Sequence, residues 1–557
     1  MWKEDNVIVN QKYIFLPPIN TENSFCLECY KLRMKELDLY EEYFGGEVGE
    51  LNFYELQLIS ELIKKLNSHS SEKFLYEINR GTMEIRAKST FKRGDCICGE
   101  YIREKQKKPS EMDTEFGKNQ TRQRPFSEVI EAIEKNRKMI YASEASIINA
   151  VSRSGDSYGT PMVQTEVLHK NVSMYSYGRT STYSETKYIS ILESLERYAT
   201  AFPHRKKKKK FYEGEIEAID LTLSEVMEMS DYSNMSNYSK DVPLYYEPVQ
   251  SLHKRCEVLI PEQLVYYNAH TVSDEKRFIY ESSNGSAIGS TEDEASLHAM
   301  LELIERDAFL ATWYGRIPPV RIEVQTLCSK RIKAYIHSLE RKRIKVHIFE
   351  ISMEIKIPTI WVLLEKIEPK DNEMAFYTAA SADFDLEEAI ERALIEATTA
   401  ISVFTHVFDR PDYLKRKKEL IKKPKEVSRL EDHLLLYSNR ETKKLLEFAL
   451  STQEVNSIAN LENTYTNYQG TFASVVRKIE EQLADISQKA YKAVTYNPNL
   501  FRASLINVKY IVPGMLTMTF GHQNKRVVKA RVMGAIDYKK KGEFDESWIQ
   551  EIPHPFP

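Results

Sequence analysis

No run of apolar residues in this 557-residue chain approaches the roughly 18 that a membrane-spanning helix requires. The opening stretch MWKEDNVIVNQKYIF lacks the basic-then-apolar layout of a secretory signal, so the expected location is the cytoplasm. An excess of one charge sign is missing as well. Seventy-eight Lys+Arg face 82 Asp+Glu, a formal net charge of −4, which excludes the global footprint of a nucleic-acid binder. Short basic runs at 204–210 and 415–425 read as solvated loops. The Walker pattern G-x-x-x-x-G-K-[ST] does not occur, which excludes a P-loop phosphate cradle. Cysteine is scarce, and six in a chain read as cytoplasmic point to metal ligands or bystanders rather than disulfides. What remains is 42% hydrophobic and 29% charged, a soluble globular composition. It is too long for one core, and about three or four domains are expected.

Four cysteines pair by spacing. Cys26-x-x-Cys29 and Cys96-x-Cys98 can each place two thiolates on one ion through a tight turn, eased in the second pair by Gly94 and Gly99. Together they make a closed structural zinc site; the alternative is four unrelated free thiols. Cys256 and Cys328 stand alone and read as packing residues. Between the pairs, residues 51–66 form an amphipathic helix, and residues 74–96 alternate about Gly81 as a hairpin does. Residues 1–104 are therefore a small zinc-clipped α+β module. The polar, aperiodic stretch over 105–127 reads as a linker or mobile loop. Residues 128–557 form a second unit of mixed sheets and helices, giving a mixed α+β (α/β) protein overall.

That unit is organised around residues 294–313. Wound at 100° per residue, Leu297, Met300, Leu301, Leu303, Ile304, Phe309, Leu310 and Trp313 spread nearly all round, as in a buried helix. Glu294, His298, Glu302 and Glu305 nevertheless share one narrow stripe. Burying carboxylates without partners is costly, so the stripe implies cations or strong donors. A second helix, 184–201, repeats the spacing with Glu193 and Glu196. Two helices each offering an i, i+3 carboxylate pair can hold hard divalent cations that bridge phosphates. A third helix opens on Asp385 as N-cap and carries Arg392 and Glu396 among Ala389, Ala393, Ala397 and Ala400. Those small residues permit close approach by a ligand.

In chain order these pieces are Gly178-Arg179-Thr180, Glu193-x-x-Glu196-Arg197, Ser283-Asn284-Gly285-x-Ala287-x-Gly289, Glu302-Leu303-Ile304-Glu305-Arg306-Asp307 and Arg392-x-x-x-Glu396. Their order and spacing resemble the YcaO family over about residues 128–557. The resemblance implies a mixed α/β domain that binds ATP and Mg2+ between acidic helices. It places Mg2+ and phosphates on Glu193, Glu196, Glu302 and Glu305. Arg179, Ser283, Asn284, Glu294, Arg306 and Arg392 would contact the nucleotide, with Arg306, Arg392, Glu396 and Pro557 in catalytic positions. One departure stands out: the family often has Gly-Lys-Gly where this chain has Gly178-Arg179-Thr180, so the charge is kept and the glycine lost.

The ending Pro553-His554-Pro555-Phe556-Pro557 resembles the P-x-P-x-P tail of azoline-forming cyclodehydratases. Read from the residues alone it is a frayed end whose removal leaves folding intact; the resemblance puts it in the active site. The N-terminal module resembles part of an E1-like (ThiF-type) domain, too short for a whole one and without G-x-G-x-x-G. The implied chemistry is ATP- and Mg2+-dependent cyclodehydration of Cys, or Ser or Thr, in a ribosomal precursor peptide to thiazoline or oxazoline. A separate leader-binding ThiF/E1-like protein would act as partner, and a flavin-dependent azoline dehydrogenase would act downstream. Homodimer formation is left open. Alternatives are a thioamide- or amidine-forming member, which the tail disfavours, and a non-catalytic leader-binding scaffold, which the acidic pairs disfavour. The sequence singles out no general base, leaving His554 and the terminal carboxylate as the nearest guesses. Loss of the zinc site is expected to leave the ATP pocket untouched.

Overall fold

The computed structural model describes residues 7–18, 25–68, 74–96, 98, 112, 114–157, 160–204, 228–229, 243–407, 410–487, 489–540 and 544–556. The Gly81 turn joins the antiparallel strands Leu75–Asn79 and Ile85–Lys88. These continue into Tyr13–Leu16 and Ile8–Val9, making a four-stranded sheet. The helices Leu27–Glu36, Tyr40–Phe44 and Phe53–Ser68 are inserted between its second and third strands in chain order.

Four further sheets follow among the described residues, the smallest being the antiparallel pair Arg526–Val527 and Glu228–Met229. Ala150–Ser157, Thr160–His169 and Val172–Arg179 form an antiparallel three-stranded sheet that feeds directly into the acidic helix Tyr183–Ala201. A five-stranded sheet runs in the order Glu257–Pro261, Tyr246–Ser251, Tyr491–Thr495, Ile506–Ile511, Ser286–Gly289. Another runs Phe376–Ala382, Thr359–Lys366, Ile344–Glu350, Val320–Ile322, Val455–Asn456, with only its last pair parallel. The mixed α+β architecture expected from the sequence is the one observed.

The central helix Glu292–Tyr314 links the two five-stranded sheets. Thr291 caps it by accepting from the Glu294 N–H at 3.1 Å, and Glu292, Asp293 and Glu294 complement its positive end. Its first half, Ala295 to Ile304, packs with Val508 and Tyr510 in one core. Its second half, Ala308 to Trp313, packs with Trp361 and Ile348 in the other. A helix shared by two cores must be apolar all round, which accounts for the wheel. Its charged middle, Glu302 to Arg306, lies where the two cores part.

Four readings need correction. The basic run 415–425 is not a solvated loop: 415–422 belong to the helix Pro411–Lys422, where buried Lys417 donates to the Asp371 carbonyl at 2.8 Å and Leu420 anchors the inner face. The stretch 105–127, expected to be a linker or mobile loop, is packed against the second unit where it is described. Phe116 meets Phe384 and Phe472 edge-on, with ring centroids 4.8 and 5.4 Å apart, and Glu115 bridges to Thr471. One apolar ring with a waiting pocket outweighs a polar composition. Cys256 and Cys328 are exposed rather than packed. Both stand in connections, Cys256 between two strands and Cys328 ahead of the helix Lys330–Arg341, where its neighbour Leu327 takes the core position instead. Residues 553–556 are buried, not frayed: Tyr437 Oη donates to the Pro553 carbonyl at 2.7 Å, and Phe556 packs 5.0 Å from Phe309. Pro557 and residues 205–210 of the basic run lie outside the described residues. Among the described residues, no helix is long and apolar enough to cross a membrane.

Candidate functional site: an acidic cluster between three helices

Each arm of the site is a capped helix. Thr182 caps the acidic helix by accepting from Glu185 N at 3.3 Å. The Asp385 carboxylate accepts from the N–H groups of Glu387 and Glu388 ahead of Leu386–Val407, as its expected N-cap role requires. The turn Ser283-Asn284-Gly285 leads into the strand before the central helix. Gly285 has φ +66°, and a Cβ there would lie 2.7 Å from Leu303 and 2.9 Å from the Tyr510 carbonyl. Only glycine fits that turn.

These elements bring Glu193, Glu196, Glu302, Glu305 and Glu396 within one another's electrostatic reach. Burial raises the Glu196 carboxyl well above its ordinary pKa, reinforced by Glu302 and Glu193. Burial likewise raises Glu305, with Arg306 opposing and Glu396 and Glu302 reinforcing. Glu396 is raised by burial and by Glu193 and Glu302, against Arg179 and Arg306. The cations in the site only partly answer this field. Arg306 pairs with Glu302 at 2.7 Å, Arg197 with Glu193 at 2.8 Å and Arg179 with Glu396 at 3.6 Å. Tyr177 N–H also donates to Glu193 at 3.1 Å.

Several polar atoms there are buried without a hydrogen-bond partner: Glu302 Oε2, Arg179 Nε, Arg306 Nε and Asn284 Oδ1. Asn284 is fixed from its other end, where Nδ2 donates to the Met518 carbonyl at 2.8 Å. Leaving such groups unpaired costs about 1–3 kcal/mol each, and more when charged. A site with orphaned carboxylate oxygen and orphaned guanidinium N–H together suits a cation bound with an anion.

The stripe on the central helix divides in two. Glu302 and Glu305 face the cluster. Glu294 is fully buried one end away, accepting from Ser290 Oγ at 2.5 Å and Gln123 N at 3.2 Å, with Arg122 at 3.5 Å. His298 lies between, contacting the Thr121 backbone, and its pKa is pushed down to about 3 by burial and by Arg122 and Arg392. Its Nε2 is another buried atom without a partner. Arg392 turns to Asp383 at 2.9 Å. Arg122 and Gln123 were not anticipated from the sequence, where their aperiodic surroundings carried no signal. Phe556 brings the tail to the site, its ring 6.0 Å from the Arg306 guanidinium. His554 is buried against the Thr519 and Phe556 carbonyls at 2.9 and 3.1 Å, and burial holds its pKa well below the ordinary value.

The four cysteines converge elsewhere. Their sulfur atoms all lie within 4.8 Å of one another, with Cys26 3.4 Å from Cys96 and Cys29 3.3 Å from Cys98. Tetrahedral zinc with Zn–S of about 2.3 Å sets sulfurs about 3.8 Å apart, so the donor set fits. Among the described residues this is the only group bringing three or more such ligand atoms so close. The glutamates are spread more widely.

Comparison with known proteins gives this geometry a family. In solved structures the chain is similar to a heterocyclase in complex with substrate and cofactor: TM-score 0.71, 17% identity, 99% of this chain and 77% of that one covered. It is similar to the heterocyclase TruD with TM-score 0.63, 16% identity and 99% and 74% coverage. YcaO from Methanopyrus kandleri bound with AMPPCP and Mg2+ aligns with TM-score 0.50, 18% identity and 71% and 92% coverage. An uncharacterized protein of Methanothermobacter thermautotrophicus is 20% identical over 235 residues, 42% of this chain, which spans 59% of that relative's length. A family model described as YcaO cyclodehydratase, ATP- and Mg2+-binding, matches residues 177–516, a span that holds all five acidic-cluster glutamates. The chain belongs to the YcaO cyclodehydratase family.

Proposed function

We propose that this protein is an ATP-dependent peptide cyclodehydratase that forms azolines from Cys, or Ser or Thr, in a ribosomal precursor peptide. The observation that carries the reading is the coexistence, in one cluster of three helices, of an unpartnered Glu302 oxygen with unpartnered Arg179 and Arg306 N–H groups. When bound, ATP supplies the phosphoryl group that turns an amide oxygen into a leaving group, and Mg2+ supplies charge neutralisation. Glu193, Glu196, Glu302 and Glu305 would hold the metal. Because these acids do not converge on one point, each ion would take few protein ligands and complete its shell with phosphate and water oxygens. Arg179 and Arg306 would donate to phosphate oxygens beside Glu396, Arg392 would act from the end shared with His298 and Arg122, and Asn284 and Ser283 would line the nucleotide. Glu294 would act by fixing Gln123 and Arg122 beside the nucleotide rather than by touching a metal.

The balanced reaction joins the side-chain sulfur or oxygen to the preceding carbonyl carbon and expels that carbonyl oxygen as phosphate, leaving ADP. The protein's part is to position and to neutralise charge. With both ring nitrogens facing carbonyls and its pKa depressed, His554 suits a structural role better than a base. The substrate class is supported by the family and by the heterocyclase folds. A separate leader-binding protein and a downstream flavin dehydrogenase complete the proposed pathway. Mass spectrometry of a Cys-containing precursor with ATP, Mg2+ and the leader-binding partner tests it. The expected product has lost one water per ring, and an oxygen-for-sulfur exchange without that loss would move the assignment to thioamide formation.

The cysteine cluster would hold structural zinc and make residues 1–104 a partner-docking module followed by a connecting segment. Cys29→Ser is expected to release the metal and lower the melting temperature. Elemental analysis that finds no zinc in freshly purified parent protein refutes the assignment.

A further inference from the structure

Residues 89–96 join the cysteine cluster to the acidic helix. At one end lies Cys96. Arg93 follows close by, pairing with Glu36 at 2.6 Å on the helix that begins just after Cys26 and carries Cys29. Burial alone would raise the Glu36 carboxyl, but His169 and Arg93 hold it below its ordinary range, so the charge pair persists. Along its length the strap grips the acidic helix and the chain leaving it in three ways. Phe91 meets Tyr198 edge-on with centroids 5.6 Å apart. Asn499, 4% exposed, accepts from Lys92 N at 2.9 Å and donates to the Lys92 carbonyl at 2.8 Å and to Tyr198 Oη at 3.1 Å. Gly94 is pressed so closely on the chain leaving the helix that a Cβ would lie 2.1 Å from the His204 backbone. Tyr198 stands on the same helix as Glu193 and Glu196, and is itself 1% exposed.

We propose that the strap makes the metal-bound cysteine cluster a positioning device for the acidic helix, with Asn499 as its latch. Asn499 is a positioning residue: it touches neither nucleotide nor metal, but it sets where Glu193 and Glu196 sit relative to Glu302 and Glu305. The proposal rests on reading those glutamates as Mg2+ ligands, and it departs from the expectation that the zinc site and the ATP pocket are independent.

The test is calorimetric titration of a non-hydrolysable ATP analogue into the full-length protein across a Mg2+ series, with zinc content and melting measured on the same samples. Asn499→Leu and Gly94→Ala are expected to keep zinc at the parental level and to raise the Mg2+ midpoint about tenfold, the scale of about one buried hydrogen bond. Glu196→Gln serves as the control. Parental midpoints in both strap variants, with binding lost in the control, overturn the latch and leave the acidic site standing. A parental midpoint in the control overturns the acidic site itself. Where Asn499→Leu fails to fold, Tyr198→Phe removes only the latched hydroxyl; a midpoint raised about threefold supports the proposal and a parental one overturns it.

Discussion

Glu196→Gln is expected to abolish peptide-dependent ATP consumption while leaving the protein at least as stable as its parent. Glu196 is half-buried, and desolvation of its carboxyl, reinforced by Glu302 and Glu193, raises its pKa well above the ordinary value. A carboxyl whose folded pKa is raised contributes stability below its unfolded pKa and loses it as pH rises through the folded one. The neutral amide escapes that loss. In metal-free buffer the variant's melting temperature should therefore gain on the parent's as pH rises, the gain levelling off above the raised pKa. Glu305 and Glu396 are raised too, so the parent's Mg2+ affinity should climb with pH as protons leave the cluster. Titrations in buffers of different ionisation enthalpy measure the proton release directly. Full turnover in the variant, or metal binding without proton release, would sink the assignment of these acids. Glu302→Gln is expected to lose turnover in the same way, through the ligand oxygen that now has no partner.

The second large effect concerns Phe556. Its ring is 3% exposed, packed on Phe309 and lying 6.0 Å from the Arg306 guanidinium. Phe556→Ala should cost about 3 kcal/mol or more in denaturant unfolding, the usual cost of emptying an aromatic core position. Deleting 553–557 should cost at least as much, because His433 Nδ1 and Tyr437 Oη, each 2.7 Å from a tail carbonyl, would also lose their partners. Folding is thus not expected to survive the deletion unchanged, contrary to the expectation for a frayed end. Phe556→Leu separates packing from chemistry. It keeps most of the volume at a cost of roughly 1.5 kcal/mol or less, yet removes the ring face beside Arg306. A fall in ring formation with stability largely kept would tie the tail to the site; unchanged turnover would make its role structural.

The acidic cluster was legible because each piece is local. Glu193 with Glu196 and Glu302 with Glu305 repeat one spacing on helices whose periodicity can be counted. The cysteine pairs were legible for the same reason. Contacts closed across hundreds of residues were not: Gln123 on Glu294, Asn499 on Lys92 and the tail on Tyr437 leave no periodic trace. Their residue types are ordinary in loops, and only the folded chain reveals that Asn499 has a buried backbone to satisfy. The tail misled in a particular way. Three prolines exclude helix and ladder, but extended chain can still be buried when side chains from neighbouring elements take up its carbonyls.

That burial also bears on how the chain reaches its native state. The indole of Trp313 donates to the carbonyl of Ile552 across 239 residues of sequence. The larger core therefore cannot close fully until residue 552 has been synthesised, and closing so long a loop is slow as well as late. Until then Phe309, Trp313 and their neighbours remain open to wrong partners. Fragments ending before residue 550 should collect in the insoluble fraction, and slower growth at low temperature should raise the yield of the full-length chain far more than that of a protein stitched together from near neighbours.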